Sequence, residues 1–435
     1  MSNPLLYDKI RDSLEISHFF RKLPSLPDTP DRVQLHHLNQ SARALVAAHL
    51  FHKTRKNILI VSQDDIIAED IWDDLCALIG SSNAHYMPDY EILPYEERSP
   101  HYSIRATRMM CVNHILRKEP AVYSISIRAL IRYLPPLENI ARHVKELRPG
   151  LEYPPDELMR DLVYMGFDAQ YQVGKVFQVA RRGGIMDIFS PPDPRPIRVE
   201  FFGDEIVTMR YFSPNTQRSE PGEVPSYTVI PAREFSLDDI SENSVLAPLI
   251  RKKGFIEGIE NQYSLLLDDL TTFADYFDPA RRLILFNNYV YIHEEFVQLA
   301  EQVYEQYERE LKRKTKAKLS PPERQMAGEE KLLELTRPGG SLFISQSEFV
   351  LPFETESIKA PCESQPSFNG DLFQLATALK ERGKDGRTTL LLFDNHSQSK
   401  RMHELLEDFG CDPQSHIGVV HEGFSIQDCG LALWT

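Results

Sequence analysis

The sequence predicts an α/β protein in which a parallel-sheet domain is interrupted by a small α+β domain and followed by a small α/β domain. Short apolar runs alternate with amphipathic helical stretches near both ends of the chain, which is typical of a parallel sheet with helical crossovers. Between these regions the pattern changes to short strands separated by Gly- and Pro-rich turns. We therefore predict the sheet domain at 1–137 and 231–354, the inserted domain at 138–230 and the last domain at 359–435.

The first part of the sheet domain is predicted from apolar runs that alternate with helical stripes. Residues 57–61 (NILIV) form a continuous apolar run, as expected for a parallel strand covered on both faces. The stretch Asp64–Ile79 places its apolar residues on one helical stripe. Further strands are predicted at His85–Met87 and Ala121–Ile127, and further helices at 5–20, Gln40–His52, Ile104–Leu116 and Arg128–Tyr133.

The inserted domain is predicted to begin with a helix that Pro154 and Pro155 open and that Gly166 ends as a C-cap glycine. Alternation with a period of two residues then indicates a series of half-buried strands. Glycine and proline clusters separate them, as in short antiparallel connections. The predicted strands are Val176–Ala180, Ile185–Phe189, Ile197–Phe202 and Ile206–Phe212.

One strand of the inserted domain has an unusual outer face. Alternation puts Ile197, Val199 and Phe201 on one side, and Arg198, Glu200 and Phe202 on the other. A large aromatic side chain among charges is typical of a binding surface, because Arg and Phe are enriched at interface cores. The structural alternative is that Phe202 packs under a loop while Arg198 pairs with Glu200. The pattern alone leaves both interpretations open.

The helix–strand rhythm returns after Pro231 and continues into the last domain. Leu265–Phe277 is assigned to a helix, and Glu354–Gly370 to a linker because it is rich in Pro, Ser and Glu. The chain ends directly after an apolar strand, so we expect an N-terminal fragment of a longer protein. The other predicted strands are Arg282–Phe286, Ser341–Phe349, Thr388–Phe393, His416–His421 and Gly430–Trp434, and the other predicted helices are Tyr291–Lys314, Asp371–Arg382 and Gln398–Phe409.

Composition indicates a cytoplasmic protein that is a poor nucleic-acid binder. The formal net charge is −15, whereas affinity for a phosphate backbone comes from clustered Lys and Arg. The basic run Lys312–Lys318 follows Glu-rich helical sequence, so we interpret it as a solvated helix end rather than a DNA contact. The five cysteines are scattered without CxxC spacing, which indicates reduced thiols and no zinc site. No apolar run approaches the roughly 20 residues of a membrane span.

A search for catalytic motifs predicts no active site. The phosphate loop G-x-x-x-x-G-K-[ST] is absent from the sequence, as is the nucleophile elbow G-x-S-x-G. His36 and His37 have no partner at the spacing of helical metal ligands. Glu96 and Glu97 are adjacent in a loop and are expected to be solvated rather than catalytic. We therefore expect no catalytic residue, no cofactor and no metal ion, and hence no enzymatic activity.

The sequence nevertheless resembles a known family. RGGIMDIF at 182–189 and IRVEFFGDEI at 197–206 are similar to the second domain shared by UvrB and the bacterial transcription-repair coupling factors. PDYEILPYEERSPH at 88–101 resembles a loop in their first domain, and the resemblance covers about 20–350. It implies that the sheet domain is a degenerate P-loop-helicase-like domain.

Departures from the pattern favour the coupling factors over UvrB. UvrB-like proteins have an intact phosphate loop, but 38–43 (LNQSAR) contains neither glycine nor lysine. They also have a long Tyr-rich hairpin that grips damaged DNA, for which the span 95–105 is too short. The tail resembles the third domain of the coupling factors. The domain that contacts RNA polymerase and the ATP-dependent translocase motor, which follow in that family, are absent from this chain.

The resemblance implies a non-catalytic adaptor that recruits UvrA to RNA polymerase stalled at DNA damage in nucleotide excision repair. The positions that match the family's UvrA contacts are Arg182, Arg198 and Phe202. Contacts with RNA polymerase and DNA would belong to the missing C-terminal domains, one of which would mask the UvrA surface in the intact protein. The fragment is expected to be monomeric and not to bind membranes. Two alternatives remain, a UvrB-like damaged-DNA-binding ATPase or loader and a purely intramolecular regulatory module.

Overall fold

The computed structural model describes residues 5–313 and 319–435. Its helices are α1 Leu6–Ile16, α2 His18–Lys22, α3 Gln40–Thr54, α4 Asp65–Ile79, α5 Tyr102–Leu116, α6 Ile127–Ile131, α7 Leu137–Ala141, α8 Pro155–Tyr164, α9 Ala247–Lys253, α10 Tyr263–Leu266, α11 Tyr289–Arg313, α12 Glu329–Leu335, α13 Leu372–Lys384 and α14 His396–Glu407. Its strands are β1 Val33–His36, β2 Asn57–Ser62, β3 Ala84–Met87, β4 Val122–Ser126, β5 Lys145–Leu147, β6 Asp168–Ala169, β7 Gln178–Arg182, β8 Ile185–Ile188, β9 Ile197–Phe202, β10 Glu205–Tyr211, β11 Tyr227–Val229, β12 Arg282–Asn287, β13 Ser341–Ile344, β14 Glu356–Lys359, β15 Cys362–Ser364, β16 Thr389–Phe393, β17 Gln414–Ile417, β18 Phe424–Ile426 and β19 Leu431–Trp434.

A seven-stranded parallel sheet forms the largest layer, in the order β14-β1-β13-β12-β2-β4-β3. Strand β1, from before the insertion, lies between β14 and β13, and β12, from after it, pairs with β2, so the two parts of the sheet domain build one sheet. Apolar side chains cover both faces, as a parallel sheet with helical crossovers requires. The predicted α/β fold class with an inserted α+β domain is therefore confirmed.

The inserted region forms a second sheet of five strands in the order β10-β9-β8-β7-β6. Its strands pair antiparallel except for β6, which runs parallel to β7. The predicted C-cap is present, because Gly166 has φ +91° and the amide of Phe167 donates to the carbonyl of Leu162 (2.9 Å). The apolar core of this sheet is continuous with that of the first sheet. The boundaries of the four predicted segments remain predictions.

The last sheet has five strands in the order β15-β18-β19-β16-β17. One of its faces packs with helices α1, α3 and α4 into a common apolar cluster. Ser17 Oγ and the amide of Phe19 both donate to the carboxylate of Asp428 (2.8 and 3.2 Å). The last domain is thus firmly docked on the sheet domain.

Several predicted elements are wrong. Leu265–Phe277 is not one helix, because α10 ends at Leu266 and only a 3-10 turn, Phe273–Tyr276, follows. The predicted linker Glu354–Gly370 contains strands β14 and β15, whose polar sequences ESIK and CES lack an apolar run. The strand predicted at Ser341–Phe349 ends at Ile344, where the chain becomes polar.

Besides β14 and β15, five short strands were not predicted, namely β1, β5, β6, β11 and β18. Each of them has only two to four residues, which is too short for a clear period-two pattern. Of the basic run Lys312–Lys318, Lys312 and Arg313 end α11, and 314–318 lie outside the described residues. Within the described ranges, no helix is both long and apolar enough to cross a bilayer.

Candidate protein-binding surface

The three site residues predicted from the sequence lie on one face of the inserted sheet. Pairing of β8 with β9 puts Asp187 directly opposite Arg198. Arg182 ends β7 beside this pair, and Phe202 ends β9. We call Arg182, Asp187, Arg198 and Phe202 the arginine face.

Two glycine-containing turns give the arginine face its shape. The β7–β8 connection is Gly183-Gly184, and the β9–β10 connection is Gly203-Asp204. Gly183 and Gly203 have φ near +61° and +62°, a conformation that favours glycine. The carbonyl of Gly184 accepts from the amide of Phe201 (2.7 Å), and a Cβ at position 184 would lie 3.0 Å from the Phe201 carbonyl oxygen. Gly184 therefore permits the close approach of the β7–β8 turn to β9.

A buried carboxylate holds both arginines. The side chain of Asp187 is 1% exposed, and Arg198 donates to it through Nε (2.7 Å) and Nη2 (2.9 Å). Arg182 donates to the same carboxylate through Nη2 (2.8 Å). A bidentate arginine–carboxylate pair fixes the plane of the guanidinium as well as its position. Asp187 was not among the predicted site residues.

Arg198 is held on a third side by the loop that follows β10. Its Nη1 donates to the carbonyl of Gln217 (3.2 Å) and to Ser219 Oγ (3.2 Å), and its guanidinium lies 4.9 Å from the ring centre of Phe212. The hydrogen bonds that Arg198 donates to Asp187 raise the pKa of Arg198. Only 13% of the Arg198 side chain is exposed, compared with 38% for Arg182. Arg198 therefore acts as a fixed positive group in the surface, and Arg182 is the more accessible donor.

Phe202 projects from the end of the β9–β10 hairpin and is 81% exposed. Ile185 and Val207, both partly exposed, add apolar surface on neighbouring strands. The structural alternative drawn from the sequence is wrong, because Phe202 is not covered by a loop and Arg198 pairs with Asp187 rather than Glu200. The arrangement offers a partner one apolar anchor and two oriented cations on the same face of the sheet.

The position where a phosphate loop would lie is occupied by the last domain. It lies between β1 and α3, where Asn39 caps the helix by accepting from the amide of Ala42 (3.0 Å). The first-turn amide of Gln40 donates to the Glu422 carboxylate (2.9 Å). A carboxylate thus occupies the helix end that binds phosphate in nucleotide-binding sheets.

Further contacts lock this helix end in place. Asp74 is fully buried and accepts from Ser41 Oγ (2.7 Å) and from the backbone amide and Nδ1 of His421 (both 2.8 Å). Ser41 Oγ in turn accepts from the amide of Glu422 (2.9 Å). Burial lowers the pKa of His421, but the bond to Asp74 and the negative charges of Asp74, Asp70 and Asp73 together raise it more, so the net shift is upward. We call Ser41, Asp74, His421 and Glu422 the domain latch.

Two other motifs were singled out in the sequence, the histidines at 36–37 and the glutamates at 96–97, and the contacts described for them are structural. His36 Nδ1 lies 3.3 Å from His37 Nδ1, and burial lowers the pKa of His36. Glu96 pairs with Arg98 at the surface (Nε–Oε2 3.0 Å). In the part of the chain that the structure describes, no three His, Cys, Asp or Glu side chains form a group that could hold a metal ion.

Parts of the chain are similar in sequence to a known domain family and to known proteins. Residues 146–235, from β5 to just beyond β11, match the UvrB interaction domain family. A transcription-repair-coupling factor of Haemophilus influenzae is 28% identical over 301 residues, which is 65% of this chain and 26% of the relative. Those of Myxococcus xanthus (32% over 216 residues) and Bacillus subtilis (28% over 198 residues) match 48% and 46% of this chain and 18% and 17% of the relatives. The matched region thus spans about a quarter or less of the length of these relatives.

Proposed function

We propose that this chain, a relative of the transcription-repair-coupling factors that carries a UvrB interaction domain, is a non-catalytic adaptor in transcription-coupled repair. Its inserted sheet would bind UvrA and so bring UvrA to RNA polymerase stalled at DNA damage. The proposal rests on the family resemblance of 182–206 and on the match of 146–235. It assigns polymerase contacts, DNA contacts and ATP-driven translocation to other domains of a full-length protein, and places the chain in the cytoplasm as a monomer.

The observation that carries the proposal is the exposure of Phe202 on the sheet face that also carries two fixed arginines. An isolated exposed phenylalanine needs no explanation, but this one shares its face with two guanidinium groups that a buried carboxylate orients. Binding energy in protein interfaces concentrates in aromatic and arginine side chains that are held rigidly before the partner arrives. Arg182 and Arg198 fit that description, and Phe202 adds an exposed aromatic side chain to the same face.

The geometry divides the roles of the three residues. Phe202 would enter an apolar pocket of UvrA, and Arg182 would pair with an acidic group at the edge of that pocket. Arg198 has Nε, Nη1 and Nη2 engaged within the sheet, so it would contribute mainly its positive charge and the flat surface of its guanidinium. The partner surface is therefore expected to be acidic around an apolar centre.

Calorimetric titration of the chain with UvrA tests the proposal. Full burial of a Phe side chain contributes about 1.5–3 kcal/mol, and 81% of Phe202 is available for it. Phe202→Ala should therefore weaken binding roughly 10- to 50-fold, by about 1.2–2.4 kcal/mol.

Phe373→Ala is the matched control, because Phe373 is 66% exposed and lies on α13 of the last domain. It should leave the affinity unchanged. Arg182→Gln should weaken binding, because it removes the accessible charge; it keeps the Arg198–Asp187 pair and puts no second carboxylate beside Asp187. Wild-type affinity in Phe202→Ala would remove the arginine face from the UvrA site.

The UvrB-like ATPase is disfavoured by the α3 helix end. The Gln40 amide already donates its hydrogen bond to the Glu422 carboxylate, and 38–43 contains no lysine that could contact a phosphate. Titration with a fluorescent ATP analogue should show no saturable binding, whereas binding that competes with ATP would favour the loader. A regulatory module would show no UvrA affinity but would bind the remainder of the full-length protein.

A further inference from the structure

Helix α11 has two apolar stripes, and one of them faces solvent. The buried stripe packs into the main apolar core and consists of Tyr289, Ile292, Phe296, Leu299 and Val303. The other consists of Val297, Tyr304 and Leu311, which are 39%, 49% and 45% exposed. Because two helical turns take about 7.2 residues, side chains seven positions apart lie along one line of the helix. We call Val297, Tyr304 and Leu311 the exposed stripe.

The exposed stripe is continuous with the core rather than isolated on a polar surface. Ala300 and Tyr307, each three positions after a stripe residue, are half-buried and pack against the core. The apolar positions thus alternate between spacings of three and four residues, the pattern by which one helix packs along another. The hydroxyl of Tyr304 donates to the carboxylate of Glu323, which holds the tyrosine ring at the surface. A helix laid along the exposed stripe would therefore extend an existing apolar interface.

A row of glutamates borders the exposed stripe. Glu294, Glu301 and Glu308 each lie three positions before a stripe residue. Glu305 directly follows Tyr304. All four glutamates are exposed, and none of their carboxylates has an ion pair or a hydrogen bond among the described residues. Like charges three or four positions apart destabilise a helix, so α11 would gain stability if cations approached these side chains. We call the four residues the glutamate row.

The other charged groups around the exposed stripe do not neutralise the glutamate row. From 294 to 308 every charged side chain of α11 is a glutamate. The cations of α11 follow at its C-terminal end and are Arg309, Lys312 and Arg313. The adjacent 3-10 turn Pro322–Arg324 adds one charge of each sign, and Glu329 of α12 adds a carboxylate beside the first turn of α11. The surface around Val297 and Tyr304 is therefore negative.

We propose that the exposed stripe docks an amphipathic helix of a partner protein, with Lys or Arg bordering its apolar side. The apolar side chains of that helix would pack on the exposed stripe, and its cations would pair with the glutamate row. A second copy of this chain does not fit. In an antiparallel pair of α11 helices the two glutamate rows would face each other, and in a parallel pair each row would meet Glu323 and Glu329 of the other copy. Nucleic acid is excluded by the same negative charge.

Fluorescence anisotropy with a labelled model peptide tests the site on the whole chain. The peptide has three heptads with Leu at the a and d positions and Lys at the e and g positions, and a scrambled peptide of equal composition is its reference. We expect saturable binding that weakens as salt rises, and about tenfold weaker binding of the scrambled peptide. Val297→Gln combined with Leu311→Gln should weaken binding about tenfold while preserving the helix, since glutamine is a good helix former. Glu301→Gln combined with Glu308→Gln should weaken binding about fivefold and reduce its salt dependence.

Leu405→Gln is the matched control, because Leu405 is a 37% exposed leucine on α14 of the last domain. It should leave the affinity for the peptide unchanged. Equal binding of the two peptides, or full affinity in the variant with Val297→Gln and Leu311→Gln, would overturn the proposal, because the attraction would then be a general one to an acidic protein. Absence of saturable binding would overturn it as well. A dimer in sedimentation velocity that the same double variant abolishes would assign the exposed stripe to a second copy instead.

Discussion

Replacement of Asp187 by alanine tests whether one buried carboxylate builds the arginine face. Asp187 accepts three hydrogen bonds from two arginines, two of them from Arg198. Without the carboxylate, Arg198 would keep the Gln217 carbonyl and Ser219 as partners but would have no anion beside a largely buried charge. We expect the β8–β9 pairing to weaken and both guanidinium groups to lose their fixed orientation.

The size of the effect follows from the kind of bond that is lost. Hydrogen bonds to charged groups contribute about 1.5–3 kcal/mol each, and removal of one partner from a buried ion pair costs about 3–5 kcal/mol. Because Arg198 keeps two other acceptors and Arg182 is partly exposed, we expect about 3 kcal/mol for Asp187→Ala. Asp187→Asn keeps one acceptor oxygen and should cost about half as much.

The assay must report on the inserted sheet itself. The two tryptophans, Trp72 and Trp434, lie in the sheet domain and the last domain, so tryptophan fluorescence does not follow its unfolding. Native-state hydrogen exchange of the β8 and β9 amides does. A loss of about 3 kcal/mol accelerates their exchange more than a hundredfold. Asp204→Ala in the exposed hairpin turn is the control, and a change below tenfold in Asp187→Ala would refute the role of the buried carboxylate.

Three further predictions concern protonation and backbone geometry. Burial lowers the pKa of His49 to about 4, below the unfolded value of about 6.5, so the unfolded state binds more protons and stability falls as pH drops through this range. At pH 5 this effect lowers the free energy of unfolding by about 2 kcal/mol. Thermal unfolding of the wild type and of His49→Gln measures it, because the stability of the variant should fall less as pH drops. Asp74 raises the pKa of His421 in the folded state. The stabilisation of the domain latch by protonated His421 is therefore complete below pH about 6.5 and is lost as pH rises through the folded-state pKa. Limited proteolysis of the last domain should detect this loss. Gly184→Ala should destabilise the inserted sheet by about 1 kcal/mol, because its Cβ would press on the carbonyl of Phe201, and hydrogen exchange of β9 measures the loss.

The outer face of β9 could be found from the sequence because alternation is a local property. Arg198 and Phe202 share a face whatever the neighbouring strand is, and the structure places them there. Asp187 could not be assigned as their partner. The connection between β8 and β9 spans 189–196, and so long a loop does not determine which residues face each other across the strands.

The domain latch and the buried Arg108–Glu234 pair depend on contacts that no local pattern contains. Asn39 and Gly423, which share a hydrogen bond of 3.1 Å, are 384 positions apart. Arg108 and Glu234 belong to different parts of the chain that only the fold brings together. Strand β14 carries no apolar run, because an edge strand of a parallel sheet can be polar, and its polar composition therefore resembles that of a linker.

The most direct test of the central claim is photo-cross-linking to UvrA from the position of Phe202. Benzoylphenylalanine is placed at this position in one sample and at the position of Phe373 in another, and each sample is irradiated with UvrA. We predict a cross-linked product from the Phe202 position alone, and its loss when unlabelled wild-type chain competes. A product from the Phe373 position alone, or none from the Phe202 position while calorimetry shows binding, would place the UvrA site elsewhere on the molecule.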